Sequence, residues 1–246
     1  STMGLKQLLK ACNKEALAPS FEDLGLSSVE DVSMCEASDL VGDLNISKEE
    51  AEAIVSKAKE QFLFEKRKAA VQGTWKAAED ALGVEATKLF YSKLFEKYPS
   101  VIPLFENADM DAQAEKLYKT VHLAVKYLDD VENLLPVLTE MGQKHALEYN
   151  CLREHYDAVG EILLWTLKTG LGDAWTDEVA EAWTWVYGVI ATTMGDAGDA
   201  AIAERDGKDL SNAQKVVIIK DTWAKVEPIA EHATKIFYKM LREKDE

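Results

Sequence analysis

The sequence predicts an all-α protein. Apolar residues recur at three- and four-residue steps along most of the chain, and alternating β-branched runs are absent. Helix-opening signals precede several of these stripes. Ser28-Val29-Glu30-Asp31 places acids in a first turn, and Ser47-Lys48-Glu49-Glu50 has the form of a capping box. Only 13 glycines and 5 prolines occur in 246 residues, which excludes collagen-like and disordered classes.

Residues 1–64 read as a small helical domain of five short helices, broken at Ala18-Pro19-Ser20 and again at Gly25. Its last helix carries Ala51, Ile54, Val55 and Ala58 on one face and leads, over residues 50–68, into the main domain. That domain, residues 65–194, holds longer helices. The stretch from Gly195-Asp196-Ala197-Gly198-Asp199 to Asp209 carries three glycines and five acids against Arg205 and Lys208, so residues 195–210 read as a linker. Residues 211–246 read as helical again. There Thr222-Trp223-Ala224 repeats Thr74-Trp75-Lys76, and Ala233-Thr234-Lys235-Ile236-Phe237-Tyr238 repeats Ala86-Thr87-Lys88-Leu89-Phe90-Tyr91. The expectation is an incomplete second copy of the main domain, with helices over residues 213–242. Their apolar faces would seek cover on the first copy or on a neighbouring chain.

Acids outnumber bases 44 to 28, for a formal net charge of −16. Such a chain is repelled by phosphate, which argues against nucleic acid and anionic membranes as partners. No apolar run approaches the roughly 18 residues of a membrane span, and residues 1–6 hold no signal-peptide apolar stretch. Cys12, Cys35 and Cys151 are scattered, with no C-x-x-C pair, so the expectation is a reduced, cytoplasmic protein without a zinc site or disulfide framework. Any imidazole chemistry must use His122, His145, His155 or His232.

Two faces stand out in the main domain. Gln113, Leu117, Val121, Val125 and Leu128 share one, and Leu134, Leu138, Met141 and His145 share another. His145 therefore points inward from an apolar stripe, where an unpaired imidazole is unfavourable. Metal ligation and a hydrogen-bonded core histidine both satisfy it. His122 lies off the Leu117–Val121 face and reads as a surface or interhelix residue; His155 reads as packing or capping, and Cys151 as a small packed residue.

In order along the chain come Tyr91, then Lys97-Tyr98-Pro99-Ser100-Val101-Ile102-Pro103-Leu104-Phe105, Gln113, His145, Glu154-His155-Tyr156 and Glu181-Ala182-Trp183. This set, over about residues 68–194, resembles the globin family, in particular bacterial haemoglobins and the haem domains of flavohaemoglobins. The resemblance implies a three-over-three helical sandwich holding haem b. It implies His145 as the proximal iron ligand, with its other ring nitrogen donating to the Met141 carbonyl. It implies Phe105 against the porphyrin, Gln113 and Tyr91 as distal hydrogen-bond donors, and Leu117 closing the distal side. Without it, Gln113 reads as a partly exposed helix residue and Tyr91 as a core aromatic. Lys116 reads as a solvated residue or a propionate contact. Flavohaemoglobins add a glutamate that supports the proximal histidine together with a tyrosine. Tyr156 is present here, but the acid position falls near Gly198, between Asp196 and Asp199. The C-terminal copy has no equivalent of Phe105, Gln113 or His145, so one haem per chain is expected.

Residues 21–26, 29–32 and 39–47, with the helix after them, resemble a sterile alpha motif domain, which implies protein interaction or self-association; a purely structural extension is the other reading. The function implied is reversible binding or transport of dioxygen or another diatomic gas. Nitric oxide dioxygenation fed by an external reductase is one alternative, since no dinucleotide fingerprint occurs. A gas sensor acting through the N-terminal module is another, and a haem-free interaction domain a third.

Overall fold

The computed structural model describes residues 2–81 and 84–205. Every regular element among them is helical, and they fall into two compact units divided between Lys66 and Arg67. The helices expected over residues 213–242, the second domain copy and the end of the expected linker lie outside the described residues.

The first unit contains α1 (Thr2–Ala11), α2 (Ala18–Asp23), α3 (Val29–Ser33), α4 (Ala37–Leu44) and the start of α5 (Lys48–Ala81). Pro19 sits in the first turn of α2, where its missing N–H is no loss, so the expected break is a helix start. Ser28 and Asp31 cap α3 reciprocally: the Asp31 N–H donates to Ser28 Oγ at 3.1 Å and the Ser28 N–H to Asp31 Oδ2 at 2.8 Å. Ser47 and Glu50 do the same for α5, at 3.2 and 2.9 Å. Asn45 ends α4 in the left-handed region, at φ 52°. Leu5, Leu8 and Leu9 of α1, Phe21, Val32 and Leu40 bury their side chains with the α5 stripe Ala51, Ile54, Val55 and Ala58.

The second unit takes the rest of α5, then α6 (Val84–Lys97), a 3-10 segment (Pro99–Phe105), α7 (Met110–Lys126), α8 (Val131–Tyr149), α9 (Arg153–Leu171) and α10 (Asp177–Arg205). α10 lies against α8 and α9, and α6 against α9 and α7. The core joins Val71 and Trp75, Phe90 and Leu94, Val121 and Val125, Ile162 and Leu167, and Ala182, Trp183 and Val186. No described helix is long and apolar enough to cross a membrane.

Two elements run further than the sequence pattern suggests. α5 continues to Ala81 instead of ending near residue 68, because Val71, Trp75 and Ala78 keep an apolar stripe buried beyond the domain boundary. The glycine-rich stretch expected to open a linker is helical, since α10 extends to Arg205 with Thr193, Met194, Gly195 and Gly198 buried. Close packing explains this. A Cβ on Gly142 of α8 would overlap the Met194 carbonyl, and one on Gly198 would stand 3.0 Å from Ala146 Cβ. The small residues let the two helices touch, which offsets the roughly 1 kcal/mol that each glycine forfeits in helix propensity. Arg153 clamps the same region by pairing with Asp196 and Asp199.

Gly142→Ala should therefore destabilise the protein by about 1–3 kcal/mol through overpacking. Gly188→Ala, also in α10 but exposed and with no atom within 4 Å of its Cβ position, should stabilise it by about 0.5–1 kcal/mol. Denaturant midpoints of the two variants check the opposite signs.

Candidate functional site

Helices α6 and α7 build one wall of a cavity in the second unit. Asp109 caps α7 by accepting from the N–H groups of Asp111 and Ala112 at 3.0 and 3.2 Å. The cap starts the helix in the phase that turns Gln113, Leu117 and Val121 inward. The Pro99–Phe105 segment brings Phe105 back under α6. There Tyr91 is 9% exposed, edge-on to Phe90 and Phe105 at ring-centroid distances of 5.0 and 5.6 Å. Its hydroxyl donates to the Gln113 backbone carbonyl at 3.3 Å. Burial pushes the phenol up to about 12, so it keeps its proton and remains a donor at neutral pH.

Helices α8 and α9 supply the facing residues. Asp130 caps α8 by accepting from the Asn133 backbone N–H at 3.4 Å and from its side-chain amide at 2.6 Å, and Asn150 ends it in the left-handed region at φ 51°. Leu134 and Leu138 on the inward stripe are buried; Met141 and His145 are half-buried. His145 Nδ1 lies 2.7 Å from the Met141 carbonyl. A carbonyl only accepts, so Nδ1 carries the hydrogen and Nε2 presents a lone pair with no partner among the described residues. Burial holds the imidazole below its ordinary range; the Met141 bond opposes this, and the Lys144 charge adds to it. The ring is thus neutral at neutral pH. Tyr149 stands edge-on to it at 5.5 Å, and Tyr156 lies 6.4 Å away.

Behind His145 the Tyr156 hydroxyl and the Cys151 thiol are neighbours. Burial pushes the thiol up to about 11 and the Tyr156 phenol well above its ordinary range, so both stay protonated. Tyr187 of α10 donates to the Tyr156 carbonyl, its ring seated where a side chain on Gly160 would collide. The carboxylate of the flavohaemoglobin pattern has no counterpart at His145 among the described residues. Gly198 packs against Gly142 and Ala146, while Asp196 and Asp199 are held by Arg153.

Tyr91, Phe105, Gln113, Leu117, Met141 and His145 all line one cavity of about 940 Å³. That lies within the range of about 300–1,000 Å³ typical of cofactor pockets. Lys116 lines it too, with the exposed Lys119 and Lys144. His122 stands apart, bonding to Trp75 and Glu79 between α7 and α5. His155 accepts from the Leu152 N–H at 2.9 Å and so caps α9 while touching the cavity. Sequence reasoning does not find Cys151 and Tyr187 as lining residues. Tyr187, Ile190 and Met194 follow Trp183 at helical steps, a readable stripe; nothing in the sequence ties Cys151 to Tyr156.

The burial of Tyr91 has a measurable consequence. Its phenol ionises near pH 10 in the unfolded chain but only near 12 in the fold, so the folded state holds the extra proton between these values and loses stability as pH rises. Relative to Tyr91→Phe, the wild type should lose about 2 kcal/mol between pH 9 and 12. Parallel stability curves for the two proteins would contradict this burial.

Residues 88–194 match the Globin family. The chain is 34% identical over 147 residues to the Flavohemoprotein of Bacillus thuringiensis subsp. konkukian, covering 57% of this chain and 36% of the relative. It is 39% identical over 111 residues to the Flavohemoprotein of Oceanobacillus iheyensis, covering 44% and 27%. The Bacillus subtilis Flavohemoprotein is 33% identical over 111 residues, covering 44% and 28%. The chain thus spans only 27–36% of the length of these curated relatives. With its helical sandwich and a half-buried histidine facing the cavity, the segment at residues 88–194 is a globin domain.

Proposed function

We propose that the globin domain holds one haem b through His145 and binds dioxygen or another diatomic gas reversibly. The observation that carries this reading is the His145 ring: Nδ1–H is committed to the Met141 carbonyl, and Nε2 is left without a partner among the described residues on a cavity of about 940 Å³. No cluster of three or more His, Cys, Asp or Glu among the described residues could hold a bare metal ion. A single imidazole would be enough to hold a haem, which brings its other iron ligands with it. Phe105, Leu117 and Met141 give the cavity apolar walls, and Lys116, Lys119 and Lys144 supply cations that suit the propionates.

A ferrous haem would supply the metal that takes up the gas. The chain's own part is to hold, shield and polarise. Tyr91 keeps its proton, and Gln113 carries an amide donor; both suit a ligand with partial negative charge. Reversible binding is favoured over nitric oxide dioxygenation with an external reductase by the support of His145. A neutral carbonyl raises imidazole basicity less than a carboxylate does. A gas-sensing role has its own support in the first unit, which has a separate core and which we take as a sterile-alpha-motif-like interaction module. Three scattered cysteines with no C-x-x-C pair suit a reducing cytoplasm.

His145→Ala should abolish stable haem retention, measured as haem per chain after gel filtration. Full occupancy with an unchanged ferrous spectrum would defeat the assignment. Gln113→Leu and Tyr91→Phe should each speed dioxygen release about 10- to 150-fold, the worth of a lost hydrogen bond to a charged partner, about 1.5–3 kcal/mol. Carbon monoxide, less polar when bound, should respond much less. Unchanged dioxygen release in both variants would show that the donors act elsewhere.

A further inference from the structure

Three rings meet where α5, α7 and α10 pack together. Trp75 lies 6.1 Å from Tyr118 and 6.0 Å from Trp183, centroid to centroid. Both distances fall within the roughly 4.5–7 Å of aromatic rings in contact. Tyr118 reaches from this group toward the cavity. It lines a small void whose other walls include Phe90, Leu117, Val121 and Leu163, and these four residues also line the cavity.

The partner of its hydroxyl sets Tyr118 apart. The phenol donates to Glu79 Oε1 at 2.7 Å. That bond first, then His122 and the Lys76 charge, hold the Glu79 carboxyl below its usual range against the opposing effect of burial, so it is an ionised base at neutral pH. Tyr91 and Tyr187, on the cavity itself, donate to main-chain carbonyls, which take up no proton. Tyr98 donates to the Glu161 carboxylate but lines neither the cavity nor the void.

We propose that Tyr118 is a redox-active tyrosine, giving an electron toward the cavity and its proton to Glu79 when hydrogen peroxide oxidises the bound haem. The proposal rests on the haem-binding reading above. A phenol that loses an electron alone becomes a cation, which a half-buried site disfavours. With Glu79 in place the O–H bond breaks as the electron leaves, and a neutral phenoxyl radical remains. Hydrogen peroxide takes two electrons from the haem and two protons from water and becomes two waters. Tyr118 returns one of these electrons. A reductant of the phenol or ascorbate class then gives one electron to the phenoxyl ring and one proton to water, while Glu79 hands its proton back. Two such turns restore the haem. Trp75, 8% exposed and stacked on Tyr118, offers the electron vacancy a second ring, with Trp183 behind it.

The test uses the full chain loaded with haem, its loading read from the optical spectrum, and frozen soon after mixing with an equimolar amount of hydrogen peroxide. Electron paramagnetic resonance should show a tyrosyl radical. Tyr118→Phe, which keeps the ring, should lose that signal. Glu79→Gln, which still accepts the bond but takes no proton, should lose most of it. Tyr98→Phe should keep it. The proposal is overturned if no tyrosyl radical forms in the wild type, or if the signal is undiminished in Tyr118→Phe or in Glu79→Gln. Loss of the signal in Tyr98→Phe overturns it equally. A chain that takes up no haem, seen in the optical spectrum before any peroxide is added, overturns the haem-binding reading and this proposal with it.

Discussion

The hydrogen bond from His145 Nδ1–H to the Met141 carbonyl is the contact on which the site depends. It selects the tautomer, sets the ring plane and leaves one nitrogen bare toward the cavity. A freely rotating imidazole would divide its time between orientations and find water. This one is held by its own helix one turn back, and burial keeps it neutral. The bond exists only because α8 stays helical through residue 145, and the chain turns away at Asn150 after that turn is complete.

The position of α8 is set in turn by α10. Gly142 and Gly198 let the two helices meet at backbone distance, and Arg153 ties the start of α9 to the Asp196–Asp199 turn of α10. This packing also governs the chemistry behind His145. It fills the place a supporting carboxylate would need, so the ring answers to a neutral carbonyl. The Tyr156–Cys151 pair stays protonated beside it. The facing wall is held in the same way, with Tyr91 kept neutral by burial and aligned by the Gln113 backbone.

Much of this is legible in the sequence because it rests on helical period and on order along the chain. The stripe ending in Met141 and His145, the Gln113–Leu117 face and the Ser28 and Ser47 caps all follow from local spacing. The ends of α5 and α10 escape that reading for a different reason. Glycine and acid clusters usually mark loops, but Gly195 and Gly198 are helical because another helix needs their lack of side chains, a tertiary cause that local propensity does not carry. Trp75 and Ala78 similarly draw α5 past its expected end. His122 between Trp75 and Glu79 is a long-range meeting with no periodic signature, and Cys151 meets Tyr156 across the irregular turn between α8 and α9.

In the proposed reading, a single imidazole held by its own helix makes this cavity a site for one haem. Titrating the purified full chain with haem, and watching the intense near-ultraviolet absorption of the ligated porphyrin, tests this most directly. The expected result is a sharp break at one equivalent per chain, with a reduced spectrum of histidine-ligated haem that shifts reversibly on exposure to carbon monoxide. A titration that never saturates, or one that breaks at two equivalents, would contradict it.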